Sequence, residues 1–94
     1  EEVKLGIEAR DQLKLILDAG ARTPHPDRVR ASLAYLCGDL GHSADLGGRR
    51  SLGIDFMKES KQSWENILAS HPKNTEAREG VNWVTQRLRE MGVK

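Results

Sequence analysis

Apolar residues recur along this chain at intervals of three and four positions, in four separate segments. That spacing places them on one face of an α-helix, whereas a half-buried strand would show strict alternation, which no window contains. The pattern therefore predicts an all-α fold of four antiparallel helices, covering approximately residues 2–19, 26–43, 50–70 and 75–91.

The first two predicted helices are separated by a segment that stops one helix and starts the next. Gly20 supplies a C-terminal stop, Thr23 is an available N-cap, and either Pro24 or Pro26 suits a first turn. The predicted stripe of helix one consists of Leu5, Ala9, Leu13, Ile16 and Leu17, and that of helix two consists of Val29, Leu33, Leu36, Cys37 and Leu40. Ala31, Ala34 and Tyr35 widen the second stripe, so we expect helix two to contact more than one neighbour.

Glycines are concentrated after the middle of helix two, at positions 38, 41, 47, 48 and 53. Each glycine inside a helix lowers its stability by roughly 1 kcal/mol relative to alanine. We therefore expect helix two to end between Gly41 and Gly48, with Gly47 and Gly48 in the loop.

The last two predicted helices meet at Pro72. The apolar face of helix three consists of Ile54, Met57, Lys61, Trp64 and Leu68, broadened by Phe56, Ser60, Ser63 and Ile67. Asn74 or Thr75 can cap helix four, and Gly92 ends it. The stripe of helix four consists of Ala77, Val81, Val84, Leu88 and Met91.

Composition narrows the class of protein. Ninety-four residues predict one domain. A net charge of +1 lacks the basic surplus of a nucleic-acid binder, and no apolar run approaches the length of a membrane span. The single cysteine, Cys37, excludes an intrachain disulfide and favours a small buried thiol. With no signal peptide visible, we expect a cytoplasmic protein that contacts neither nucleic acid nor membrane.

The stretch from Lys58 to Ala77 has the most specific spacing in the chain. A small residue, an aromatic residue four positions later, an aliphatic pair and a proline occur as Ser60, Trp64, Ile67-Leu68 and Pro72. This order resembles the second helix and exit turn of a tetratricopeptide repeat. Physically, a small Ser60 lets the paired helix approach, Trp64 fills the space one turn on, and Pro72 ends the helix.

Two architectures remain open at this point. The resemblance implies helical hairpins of the tetratricopeptide type, with the segment L-A-Y-L-C-G-D-L as part of the partner helix. An antiparallel four-helix bundle explains the same stripes without the resemblance.

The resemblance also implies a function. In that family the inner groove is lined by the first helix of each pair and binds a protein or peptide partner. On helix four the corresponding positions are Glu79, Trp83, Gln86 and Arg87. Trp83 stands off the apolar stripe beside Arg87, and an exposed tryptophan is typical of a residue that anchors a partner. We therefore expect a non-enzymatic protein-protein interaction module.

An alternative function is self-association. Leu15 lies off the main stripe of helix one, and the segment Ala31-Tyr35 lies off that of helix two. A homodimer could bury these faces, because a small chain has a modest core of its own.

Catalytic and metal-binding patterns are weak. Asp39, His42 and Asp45 follow one another at three-residue steps and could share one side of a helix, which would suit a divalent metal. The glycines around them make that helix doubtful, and no catalytic triad, cysteine-histidine pair or phosphate-binding loop is present in the sequence. We therefore expect no enzymatic activity and no cofactor.

Overall fold

Four helices form in the order that the apolar spacing predicts. The computed structural model of the chain describes residues 2–18 and 26–93. Within those ranges it contains α1 (Glu2–Asp18), α2 (Pro26–Leu46), α3 (Arg50–Ser70) and α4 (Thr75–Glu90), and no strand. The all-α class is thereby confirmed, whereas the predicted stop at Gly20 and cap at Thr23 lie outside the described residues.

The two turns after α2 and α3 follow the local sequence signals. α2 ends at Leu46, past the approximate bound of residue 43 but between Gly41 and Gly48 as expected, and Gly48 then adopts a positive φ of 82°. This left-handed conformation favours glycine, which has no Cβ to clash with the backbone. Pro72 follows the end of α3, and the Asn74 side chain caps α4 by accepting a hydrogen bond of 2.9 Å from the backbone N–H of Ala77.

α2 and α3 form the central antiparallel pair of the fold. Near the middle of the pair, the buried Ser60 hydroxyl donates a 2.6 Å hydrogen bond to the carbonyl of Ala34. At one end, His71 Nε2 lies 2.7 Å from the Asp27 carboxylate. Residue numbers thus fall along α2 as they rise along α3, which is the signature of an antiparallel hairpin.

Two glycines allow the backbones of this pair to touch. A Cβ atom placed on Gly41 would lie 2.9 Å from the carbonyl oxygen of Gly53. One placed on Gly53 would lie 2.7 Å from the carbonyl oxygen of Gly41. Glycines that weaken an isolated helix therefore strengthen this interface, because they permit closer packing, and α2 continues through Gly38 and Gly41 for that reason.

A first core cluster lies where α4 packs on the central pair. Its buried members are Ala34, Met57, Trp64, Ile67, Ala77, Val84, Leu88 and Met91. The predicted faces of α3 and α4 supply most of them, and Val81 and Leu68 pack at the edge. The amphipathic spacing of these two helices thus predicted the core-facing side correctly.

A second cluster lies where α1 packs on the central pair. Leu40, Ala44 and Phe56 are its buried members, and Ile7, Leu36 and Leu52 pack against it. The predicted stripe of α1 is wrong at Ala9, which is exposed, while Ile7 and Arg10 face the interior.

Ion pairs accompany the apolar packing of α1. Arg10 Nη1 lies 3.1 Å and Lys14 Nζ 2.7 Å from the carboxylate of Glu59 on α3, and the Arg10 guanidinium stacks over Phe56. The buried Cys37 thiol of α2 lies 3.4 Å from the same carboxylate. Glu59 therefore joins three helices, and apolar periodicity alone could not locate this junction.

The ionisation of Glu59 reflects this setting. Burial favours the neutral acid, but the hydrogen bond from Lys14 and the charges of Arg10 and Lys14 outweigh it and lower the pKa of Glu59. Burial and the adjacent carboxylate raise the pKa of Cys37 to about 12. The thiol is therefore protonated at neutral pH, and we expect it to be a poor nucleophile.

The helices form an open row. α1 packs on α2, α2 on α3 and α3 on α4, while α2 and α4 meet at only a few points. The dimensions of 39 × 29 × 15 Å fit this flat arrangement. The gap between α2 and α4 is therefore a groove, and α3 forms its floor.

The backbone contact between the glycines can be tested by Gly53→Ala. A helical Gly→Ala change ordinarily stabilises a protein by about 0.5–1 kcal/mol. Here the added methyl meets backbone atoms on α2, so we expect a loss of about 1–3 kcal/mol in the free energy of unfolding. Urea denaturation followed by circular dichroism measures it. Gly47→Ala is the control, because its Cβ would have ordinary contacts; equal stability of both variants would contradict the interpretation.

The junction at Glu59 can be tested by Glu59→Gln at several pH values. A lowered folded-state pKa stabilises the fold above the ordinary value of 4.5, and this contribution is lost as pH falls through the folded-state pKa. We therefore expect wild type to exceed the variant in stability at pH 7, and the difference to shrink below pH 4.5. The exposed Glu65→Gln is the control. A difference that stays constant down to strongly acidic pH would show that charge on Glu59 does not hold α1.

Candidate functional site

A cavity of about 290 Å³ opens in the groove between α2 and α4. α2 contributes Ala34, Tyr35, Gly38 and Asp39; α3 contributes Ser60 and Trp64; α4 contributes Glu76, Glu79, Gly80 and Trp83. We call this cavity and its rim the α2/α4 groove. Its volume suits one large side chain rather than a whole helix.

Aromatic rings dominate the groove. Trp64 forms the floor, with only 2% of its surface exposed, and Tyr35 meets it edge to face at a centroid distance of 4.9 Å. Tyr35 and Trp83 remain 55% and 48% exposed, respectively. Two large rings are thus fixed on the protein but open to solvent, which is costly for a surface that contacts nothing.

Two glycines give the groove its shape. A Cβ on Gly80 would collide with the Trp64 indole, so the absence of a side chain lets α4 lie directly on that ring. A Cβ on Gly38 would lie 3.3 Å from the six-membered ring of Trp83. The indole of Trp83 therefore reaches from α4 across to the backbone of α2, and it closes one end of the cavity.

A hydrogen bond crosses the groove from the other side. The Tyr35 hydroxyl on α2 donates to the Glu76 carboxylate on α4 at 2.9 Å. This bond, partial burial and the negative charges of Glu76 and Glu79 raise the pKa of Tyr35. Both carboxylates thus place negative charge beside the phenol, which disfavours the phenolate.

The charged residues that line the groove are all acidic. Asp39, Glu76 and Glu79 line it, and no described lysine or arginine does. Along residues 26–93 these three carboxylates take part in no ion pair, although Asp27, Asp45, Glu59 and Glu90 each have a basic partner. Acidic side chains left without a counter-ion beside exposed rings form a site that is electrostatically complementary to a cation.

The four predicted partner-binding residues separate into two pairs. Glu79 and Trp83 line the groove, whereas Gln86 and Arg87 do not. Gln86 is exposed one turn further along α4. Arg87 is mostly buried and bonded within the chain, to Glu90 at 3.0 Å and to His42 Nδ1 at 2.8 Å. It connects the end of α4 to α2, so its guanidinium is engaged within the chain.

Several groove residues were not identified from the sequence. Tyr35 was noted only as widening the face of α2, and Trp64 was predicted to be core, which its burial confirms. Asp39 was considered only as a metal ligand, and Glu76 and the two glycines carried no signal for this groove, because these residues become a set only when α2 and α4 are brought together. The off-stripe position of Tyr35 was the one available clue.

The residues considered as a metal site do not come together in the structure. Among the described side chains, no group of three histidine, cysteine or acidic residues lies close enough to hold a metal ion. Instead of converging with Asp39, His42 contacts Arg87 and Asp45 contacts Arg50. Within residues 2–18 and 26–93, no helix has the length and apolarity to cross a membrane.

Comparison with known proteins assigns no family to this chain. Neither a protein-family model, nor a curated protein, nor a solved structure shows significant similarity to this chain. The groove is therefore the feature of this chain that bears on its function.

Titration of Tyr35, the single tyrosine of the chain, tests the effect of the groove carboxylates on the phenol. We expect its phenolate absorbance to rise with a midpoint above the ordinary pKa of 10.0, and Glu76→Gln to bring the midpoint back toward that value. Glu79→Gln should lower it less, since Glu79 acts by charge alone. Circular dichroism at each pH verifies that the fold persists. Glu8→Gln on α1 is the control; an unchanged midpoint in Glu76→Gln would contradict the cross-groove bond.

Proposed function

We propose that this chain is a non-enzymatic interaction module that binds a segment of a partner protein in the α2/α4 groove. The observation that carries the proposal is the pair of exposed rings, Tyr35 and Trp83, held on either side of a cavity. Tryptophan and tyrosine provide large contact areas at low conformational cost and are enriched among residues that dominate binding energy.

The position of the groove supports a repeat-like mode of binding. It lies between α2 and α4, which are the first helices of successive pairs if α2–α3 is taken as one helical hairpin. Ser60 at the close contact and Trp64 between the helices agree with the spacing of the stretch from Lys58 to Ala77. The open row leaves this surface accessible, whereas a closed four-helix bundle would cover it.

Preorganisation also favours this function. Trp83 rests on the Gly38 backbone, and Tyr35 is held by Trp64 and Glu76. A partner segment would therefore meet rings that are already in place, which reduces the entropy lost on binding. The cavity would accept one side chain, and the segment on either side of it would lie along the exposed rims of α2 and α4.

The test is selection of peptides from a random display library, followed by calorimetry with the synthetic peptides. We expect selected peptides to lose at least about tenfold in affinity on Trp83→Ala, because a partly exposed ring at the centre of a binding site is an energetic anchor. Leu15→Ala is the matched control, since Leu15 is 68% exposed but lies on α1, away from the groove.

Three outcomes would contradict the proposal. Peptides that bind Trp83→Ala as well as wild type would place the site elsewhere. Loss of helix content in Trp83→Ala would show that the ring is structural rather than a contact residue. A wild-type dimer in light scattering that Trp83→Ala converts to a monomer would show that the groove serves self-association instead.

A further inference from the structure

We propose that the α2/α4 groove receives a basic side chain of the partner segment, with arginine preferred over lysine. This inference rests on the proposed function and adds to it the chemistry of the residue bound. The juxtaposition that carries it is a small cavity with aromatic walls and three carboxylates, and no described cation among its lining residues.

The charge of the groove lining favours a cation as the ligand. The chain as a whole has a net charge of +1, yet the lining of the groove contains Asp39, Glu76 and Glu79 without a compensating lysine or arginine. Elsewhere in the described chain, some acidic side chains face arginine or lysine at 2.7–3.2 Å, and others, such as Glu65, are exposed without an ion pair. The groove differs in gathering three carboxylates without an ion pair around one aromatic cavity, an arrangement that attracts a positive ligand.

The aromatic walls of the groove also favour a cation. The faces of tryptophan and tyrosine rings carry partial negative charge, and they attract a cation placed over them. Trp64 and Trp83 are the two tryptophans of the chain, and both line this one cavity. A cation entering it would meet aromatic surface and carboxylate oxygens together, which neither an acidic nor a neutral side chain could exploit.

Shape and hydration distinguish arginine from lysine as the residue bound. The planar guanidinium stacks on aromatic rings and directs several N–H donors outward at once, whereas an ammonium group is a compact, strongly hydrated charge. The cavity of about 290 Å³ is lined by Trp64, Trp83 and Tyr35 together with the carboxylates of its rim. A flat group that stacks on a ring while it donates to rim carboxylates suits this lining better than a compact ammonium group does.

The experiment titrates N-acetyl-arginine amide into the full chain and follows the indole N–H signals of Trp64 and Trp83 by proton–nitrogen correlation NMR. N-acetyl-citrulline amide is the matched ligand, since it keeps the shape of arginine and lacks the charge. We expect saturable shifts with arginine, weaker binding with N-acetyl-lysine amide, and no saturation with citrulline. Added salt should weaken the arginine response, because the rim carboxylates are exposed.

Variants separate a specific site from general attraction to a weakly charged surface. Glu79→Gln should weaken arginine binding by about threefold or more, as expected when one exposed charge of an ion pair is removed. Glu8→Gln removes the same charge on α1 and should leave binding unchanged. Both residues are exposed, so neither substitution should alter the fold.

Two results would overturn the inference: equal binding of arginine and citrulline, or equal loss of binding in Glu79→Gln and Glu8→Gln. The display experiment distinguishes this failure from failure of the proposed function. Selected peptides that require Trp83 but contain no basic residue would leave the interaction module intact and remove only the preference for a cation.

Discussion

The whole arrangement depends on how closely α2 approaches α3. Ser60 donates its hydrogen bond directly to the backbone of α2, and Gly41 meets Gly53 with backbone against backbone. Small residues at two levels of the hairpin, Ala34 with Ser60 and Gly41 with Gly53, hold the helices at a separation that larger residues would prevent. α1 and α4 then pack on the sides of a rigid pair rather than on each other.

The ring of Trp64 lies between the two helices that border the groove. Its indole lies directly against Gly80 of α4 and meets Tyr35 of α2 edge to face. α2 and α4 therefore meet at only a few points. Trp64 forms the floor of the groove, and Tyr35 and Trp83, from the two facing helices, complete its aromatic lining.

Much of this fold could be predicted from apolar spacing, and the site only in part. Periodicity located four helices and the buried faces of α2, α3 and α4, since burial of apolar area governs those faces. It was wrong at Ala9, because α1 turns Ile7 inward and pairs Arg10 and Lys14 with Glu59, contacts that no local pattern records. It also treated Gly41 and Gly53 as helix-weakening, since their benefit appears only when another backbone lies against them. Trp83 and Glu79 were found because an aromatic residue off the apolar stripe is conspicuous, whereas Asp39 and Glu76 belong to the groove only through tertiary contact.

The junction at Glu59 divides the molecule into parts of different physical character. α2, α3 and α4 are joined by buried apolar surface, on which dissolved salt has little screening effect. α1 has a smaller apolar contact through Ile7, and it adds Arg10 and Lys14 paired with one partly exposed carboxylate. Ionic strength therefore acts on this fold unevenly: salt weakens the ion pairs that help to attach the first helix more than it weakens the apolar contacts that join α2, α3 and α4.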